Sequence, residues 1–169
     1  MDAEIKGDVT PGFEKVRDVF KSNWDNYEVG ASLNIVHNGK AVVNIWGGWL
    51  DTEFKTPWQE ETLINVYSTT KGMGSIAVAI LADEGKIDFD AKVVEYWPEF
   101  GQAGKGNITV AQLLSHQAGL CGINEKITVE DLYDWQKIIG LLESQKPLWE
   151  PGTACGYHAV TWGYFPGEL

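Results

Sequence analysis

Ala31-Ser32-Leu33-Asn34-Ile35-Val36-His37 alternates apolar and polar residues, Asn38-Gly39 follows, and Lys40-Ala41-Val42-Val43-Asn44-Ile45-Trp46 alternates again. A period of two is the mark of a strand with one buried face. Asn-Gly tolerates the positive φ that a two-residue type I′ turn needs at both positions, so the segment predicts an antiparallel hairpin. Gly47-Gly48 ends its second strand. On the N-terminal side, Thr10 before Pro11 predicts the start of a helix that carries Phe13, Val16, Val19 and Phe20.

On the C-terminal side the period changes. From Thr69 to Glu84 the spacing predicts a helix with Met73, Ile76, Ala77, Ile80 and Leu81 on its apolar face, and Gly85 where the C-terminal cap belongs. Thr109 with Gln112 makes a capping box for a short helix closing near Gly119. Thr128 with Asp131 opens another, with a stripe of Leu132, Trp135, Ile139 and Leu142. Helix, hairpin and then several helices give an α+β class, with helices on one side of an antiparallel sheet. Two strands are too few for an independent sheet, so further strands are expected from elsewhere. Without them, the hairpin is expected to keep an open edge and Val43 and Ile45 to lose their neighbours.

The chain has 169 residues, 44% of them apolar and 22% charged, which excludes disordered, collagenous and coiled-coil classes. Its net charge of −11 repels phosphate backbones and anionic lipid, so nucleic acid and membrane surfaces are excluded as partners. Two cysteines, Cys121 and Cys155, make no disulfide framework. The first residues carry no apolar signal region, and no stretch reaches membrane-spanning length. The expectation is a single soluble, cytoplasmic domain over residues 1–169.

The segment with chemical potential is Val66-Tyr67-Ser68-Thr69-Thr70-Lys71-Gly72. Ser68 lies where the chain enters the Met73-centred helix, and Lys71 is three residues on, on the same face. A hydroxyl and an amine at that spacing come within hydrogen-bond reach. The electropositive start of a helix favours negative charge developing on an attacking oxygen. Ser-x-x-Lys is therefore a candidate nucleophile–base pair, although any serine cap followed by a lysine matches it. No Gly-x-Ser-x-Gly elbow exists to suggest an α/β-hydrolase triad.

Further segments narrow the choice. They are Leu81-Ala82-Asp83-Glu84-Gly85-Lys86-Ile87-Asp88-Phe89-Asp90, Trp97-Pro98-Glu99-Phe100, Ile108-Thr109-Val110-Ala111-Gln112-Leu113-Leu114-Ser115-His116-Gln117-Ala118-Gly119-Leu120 and Trp149-Glu150-Pro151-Gly152-Thr153. With the Ser68 segment, and in this order, they resemble the serine β-lactamase and penicillin-binding-protein-like superfamily, near class C β-lactamases and family VIII carboxylesterases. The resemblance spans roughly residues 28–169. It implies a β-lactamase/transpeptidase-like fold, no cofactor or metal, and an acyl-enzyme hydrolase acting on a small-molecule ester or amide. It also implies that Tyr157 partners Lys71 in moving the serine proton. The family's Tyr-x-Asn motif reads Tyr157-His158-Ala159 here, and Ala159 has no amide, which shifts weight from β-lactams towards esters. The family's third motif, carried on a late strand, has no counterpart. His37-Asn38-Gly39 and Trp46-Gly47-Gly48 resemble it but precede Ser68 and read as turn and strand-end residues. The resemblance is thus to the N-terminal part of the domain, with its C-terminal strands missing.

Three other readings stand beside this one. His116 is expected to be structural, and His158 either lines the cleft or packs. His116, Cys121, Cys155 and His158 have the chemistry of zinc ligands, without the spacing of a recognised zinc motif. A catalytically inactive scaffold of the same fold is the alternative to an enzyme.

Overall fold

The N-terminal strand β1 (Ile5–Val9) is followed by α1 (Glu14–Ser22), β2 (Gly30–His37) and β3 (Lys40–Gly48). The computed structural model describes residues 3–169. The hairpin forms as the sequence predicts, with φ of 51° at Asn38 and 73° at Gly39. The expectation of an open edge beside the second hairpin strand is corrected. β1 supplies a third strand in the order β1-β3-β2, so β3 is central and paired antiparallel on both sides. Val43 and Ile45, expected to be stranded, are 1% and 0% exposed. Ile5-Lys6-Gly7-Asp8-Val9 hides its strand character because Gly7 interrupts a short and otherwise weak pattern. Gly7 is required there: its φ is +90°, and an added Cβ would lie 2.1 Å from the Asn44 carbonyl oxygen.

The register skips one residue of β3 between the Ile35–Val43 and Val36–Ala41 pairs, a bulge that breaks the expected strict alternation. Val42 and Val43 are consequently both buried. α1 covers this face with Phe20, next to Trp24 just beyond it, whose rings meet edge-on at 5.3 Å. Arg17 also donates to the Gly7 carbonyl at 2.6 Å. The helix begins at Glu14 rather than at Pro11, and Thr10 spends its amide on the Val42 carbonyl, extending the β1 pairing.

The contacts divide the chain into two compact units, one up to Asn65 and one from Val66 to Leu169. The second holds α2 (Thr70–Asp83), α3 (Val110–Leu114), α4 (Trp135–Ser144) and α5 (Phe165–Glu168) around its own core. α2 ends as expected, with Gly85 at φ 69° and the Lys86 N–H bonded to the Leu81 carbonyl at 2.8 Å. Its buried face is not the expected one. Gly74, Val78 and Leu81 turn to the core, whereas Met73, Ile76 and Ile80 are 66%, 56% and 55% exposed. α2 is apolar nearly all round, so periodicity alone could not choose the face.

The Thr109–Gln112 capping box forms with both reciprocal bonds. Thr128 and Asp131 bond reciprocally too, but the helix they open is a single 3-10 turn over Glu130–Tyr133. Asp134 then caps α4 anew by accepting the Lys137 N–H at 3.1 Å. Ile138, Ile139 and Leu142 of α4 enter the core with Val93, Phe100, Leu113, Leu120 and Phe165.

The end of α4 is held by an unusual group. Lys105 is fully buried and donates to the Gln102, Glu143 and Gln145 carbonyl oxygens at 2.8, 2.7 and 2.7 Å. The last carbonyls of a helix lack intrahelical donors and sit at its negative end, so a buried amine suits them. Burial pulls the Lys105 amine down to about 8, against the opposing charge of Glu143. Lys105→Met would leave the Glu143 and Gln145 carbonyls without this donor, while the Gln102 carbonyl keeps the residue 105 N–H, and should cost on the order of 3 kcal/mol, read as a lower urea midpoint with unchanged slope. An unchanged midpoint would show that the carbonyls find water instead.

Candidate active site

Ser68 occupies a 3-10 turn over Tyr67–Thr69 that runs directly into α2. Tyr67 precedes it at φ 45°, a left-handed conformation uncommon for a bulky side chain and a frequent companion of functional sites. The turn leaves Ser68 exposed at the electropositive start of the helix. One helical turn on, Lys71 Nζ lies 3.1 Å from Ser68 Oγ, so the two candidates are hydrogen-bonded. Ser75 bonds its hydroxyl back to the Lys71 carbonyl at 2.8 Å, tightening the same turn.

Tyr157 and Ala159 arrive from a segment nearly ninety positions away. The Lys71 amine donates to the Ala159 carbonyl at 2.8 Å and lies 5.1 Å from the centre of the Tyr157 ring. Hydrogen bonding with Ser68, and then bonding with Lys71 and its positive charge, hold the Tyr157 phenol below its ordinary range. The three site residues predicted from the sequence therefore meet in one exposed cluster. Ala159 contributes what its side chain cannot, a backbone acceptor for the amine.

The two histidines are placed by hydrogen bonds that no local pattern reveals. His158 is fully buried, accepts the Leu120 N–H on Nε2 at 3.0 Å and meets the Gly156 carbonyl through Nδ1 at 2.6 Å. Both ring nitrogens are thus spent on backbone, which removes His158 from the cleft and from any zinc set. His116 is half-buried, with its ring 4.9 Å from that of Tyr157. Among the described residues, no group of three or more His, Cys, Asp or Glu side chains is gathered to hold a metal. Cys155 is exposed, with its sulfur 3.6 Å from the Ser115 carbonyl. Gly74 lets α2 approach Trp162, since a Cβ there would lie 3.0 Å from the indole; that indole donates to the Leu114 carbonyl at 3.0 Å. No helix among the described residues is long and apolar enough to cross a membrane.

The family model described as Beta-lactamase matches residues 16–169, which takes in Ser68, Lys71 and Tyr157. The chain belongs to the Beta-lactamase family. It is 37% identical over 169 residues to the esterase/beta-lactamase LipL of Mycobacterium tuberculosis, covering 98% of this chain and 38% of LipL. A family VIII carboxylesterase structure superposes with a TM-score of 0.93 and 55% identity, over 98% of this chain and 45% of that one. A penicillin-binding-protein homologue from Caulobacter crescentus superposes with a TM-score of 0.92 and 41% identity, also over 98% and 45%. The chain thus spans less than half the length of these Beta-lactamase relatives, as the unmatched third motif led one to expect, and it shares their β-lactamase/transpeptidase fold across that span.

Burial also gives His158 a signature in acid. Loss of solvent lowers its imidazole to about 4 from an ordinary value near 6.5, against the Gly156 bond, which works the other way. Below about 6.5 the unfolded chain takes up a proton that the native state refuses until about 4, so stability is lost as pH falls through that window. The full difference amounts to about 3 kcal/mol. Unfolding titrations at pH 7 and pH 4 should show this loss, and His158→Gln should flatten it while starting from lower stability at pH 7. A variant as acid-sensitive as the parent would assign the loss to other groups.

Proposed function

We propose that this chain carries the nucleophile end of a serine hydrolase working through an acyl-enzyme, with Ser68 as nucleophile and Lys71 and Tyr157 as its proton carriers. The observation that supports it is the 3.1 Å contact between Lys71 Nζ and Ser68 Oγ, with the Tyr157 ring centre 5.1 Å from that amine. Lys71 Nζ donates to the Ala159 carbonyl and to Ser68 Oγ, which holds the amine beside the serine hydroxyl; once it has passed a proton on to Tyr157, its lone pair faces that hydroxyl. As Ser68 Oγ bonds to the substrate carbonyl carbon, its proton passes to the amine. The carbonyl oxygen gains the negative charge, and collapse of the tetrahedral intermediate breaks the bond to the leaving oxygen. Tyr157 delivers the proton to that oxygen and is resupplied from Lys71. Water reverses the sequence and frees the acid. The Ser68 N–H, in the first turn where helices leave donors without intrahelical partners, would give one donor to the developing oxyanion. A second donor would come from the part of the domain that corresponds to the relatives' remaining length.

Esters are the favoured substrates. Ala159 offers a lactam no side-chain amide, and its carbonyl is already committed to Lys71. LipL is named both esterase and beta-lactamase, and a second relative is a family VIII carboxylesterase.

In the protein that carries this chain, a fluorophosphonate probe should label Ser68, and Ser68→Ala should abolish the label. Lys71→Ala should slow labelling by about 10²-fold or more. Short-chain nitrophenyl esters should turn over faster than nitrocefin. Labelling that survives Ser68→Ala would move the chemistry elsewhere, and equal or better nitrocefin turnover would reverse the substrate ranking.

A further inference from the structure

We infer that His116 is a positioning residue for Tyr157, holding the phenol against Ser68 and Lys71; this rests on the roles given to those three residues above. Tyr157 is bracketed by two hydrogen bonds to one residue. The N–H of Gly156, just before it, donates to the His116 carbonyl at 3.0 Å. The N–H of His158, just after it, donates to His116 Nδ1 at 3.1 Å. The His116 ring then packs against the Tyr157 ring with centroids 4.9 Å apart and planes inclined by 56°. The main chain on either side of Tyr157 and its ring are thus referenced to one residue, His116.

His116 reaches both N–H groups because its backbone is left-handed, at φ 67°. That conformation turns its carbonyl and its ring towards the same neighbouring segment; His and Asn tolerate it better than most side chains. The bond to Nδ1 requires a lone pair there, which places the ring proton on Nε2. The charged or titratable groups facing the ring are Lys71, Tyr157 and His158. Burial first, and the positive charge of Lys71 second, lower the His116 imidazole, so the neutral, accepting form is the one favoured near neutrality. Protonation of Nδ1 would replace an acceptor by a donor and release the His158 N–H. A tyrosine displaced by about 1 Å loses on the order of 10²-fold in rate.

The test compares His116→Gly, which keeps backbone freedom but removes ring and acceptor, with His116→Asn, which keeps both the left-handed tolerance and an acceptor. Two readouts are taken: the ionisation midpoint of Tyr157, by NMR of ring-labelled tyrosine, and the rate of fluorophosphonate labelling at Ser68. In His116→Gly the Tyr157 midpoint should rise towards that of a free tyrosine, and labelling should slow by about 10-fold to 10²-fold. In His116→Asn both should stay within about 3-fold of the parent. In the parent, labelling should fall with decreasing pH along the titration of the His116 imidazole resonances. A folded His116→Gly protein with parental midpoint and parental labelling would overturn the assignment. Should His116→Gly fail to fold, a parent whose labelling is level across the His116 titration would overturn it equally. Should Ser68 of the parent take no label at all, the acyl-enzyme reading fails, and the Tyr157 midpoint still decides whether His116 positions the phenol.

Discussion

The placement of Tyr157 depends on a set of hydrogen bonds made by residues 116–120, just after α3. Gln117 accepts the Gly152 N–H at 3.1 Å, Gly119 accepts the Leu148 N–H at 2.8 Å, and Leu120 gives its N–H to His158 and takes the Thr161 hydroxyl at 2.7 Å. With the two bonds to His116, this short run acts as a template along which residues 148–161 are laid. The Gly119 backbone, at φ 72°, makes the close approach possible, because a Cβ there would lie 3.0 Å from the Trp149 carbonyl oxygen. Ser68 and Lys71 are local neighbours that any helix start would bring together. Tyr157 is not local, and this template, with the Lys71 bond to the Ala159 carbonyl, brings it to them.

That difference explains what the sequence could and could not reveal. The hairpin, the Thr109–Gln112 box, the Gly85 cap and the Ser68–Lys71 pair are decided within four residues, and each was legible. The strand at Ile5–Val9 was not, because its evidence lies in the partner residues Val43–Gly47 rather than in its own composition. The buried side of α2 is set by Gly74 meeting Trp162, a contact 88 positions away that no periodicity encodes. The continuous helix expected from Thr128 broke because Asp134 competes as a cap with the first turn's own capping pair. His116 stood within a segment shared with the family, yet its relation to Tyr157 appears only once both chains of hydrogen bonds are closed.

Two lysines of the second unit, Lys105 and Lys71, also differ in kind. Lys105 is kept for the three carbonyls that it satisfies, and its removal is a loss to the fold. Lys71 is only half-buried, and its hydrogen bonds go to one serine and one backbone oxygen. The same side chain is a buried staple in one place and, in the other, the half-buried proton carrier proposed above.

The bond from Lys71 to the Ala159 carbonyl has an evolutionary consequence. Because the main chain supplies the acceptor, mutation at position 159 changes the exposed surface beside Lys71 without unseating the lysine. Ala159 is exposed, so most side chains would meet no packing penalty there. The side chain and the carbonyl of residue 159 are therefore separable parts: one can be exchanged through descent while the other goes on holding Lys71.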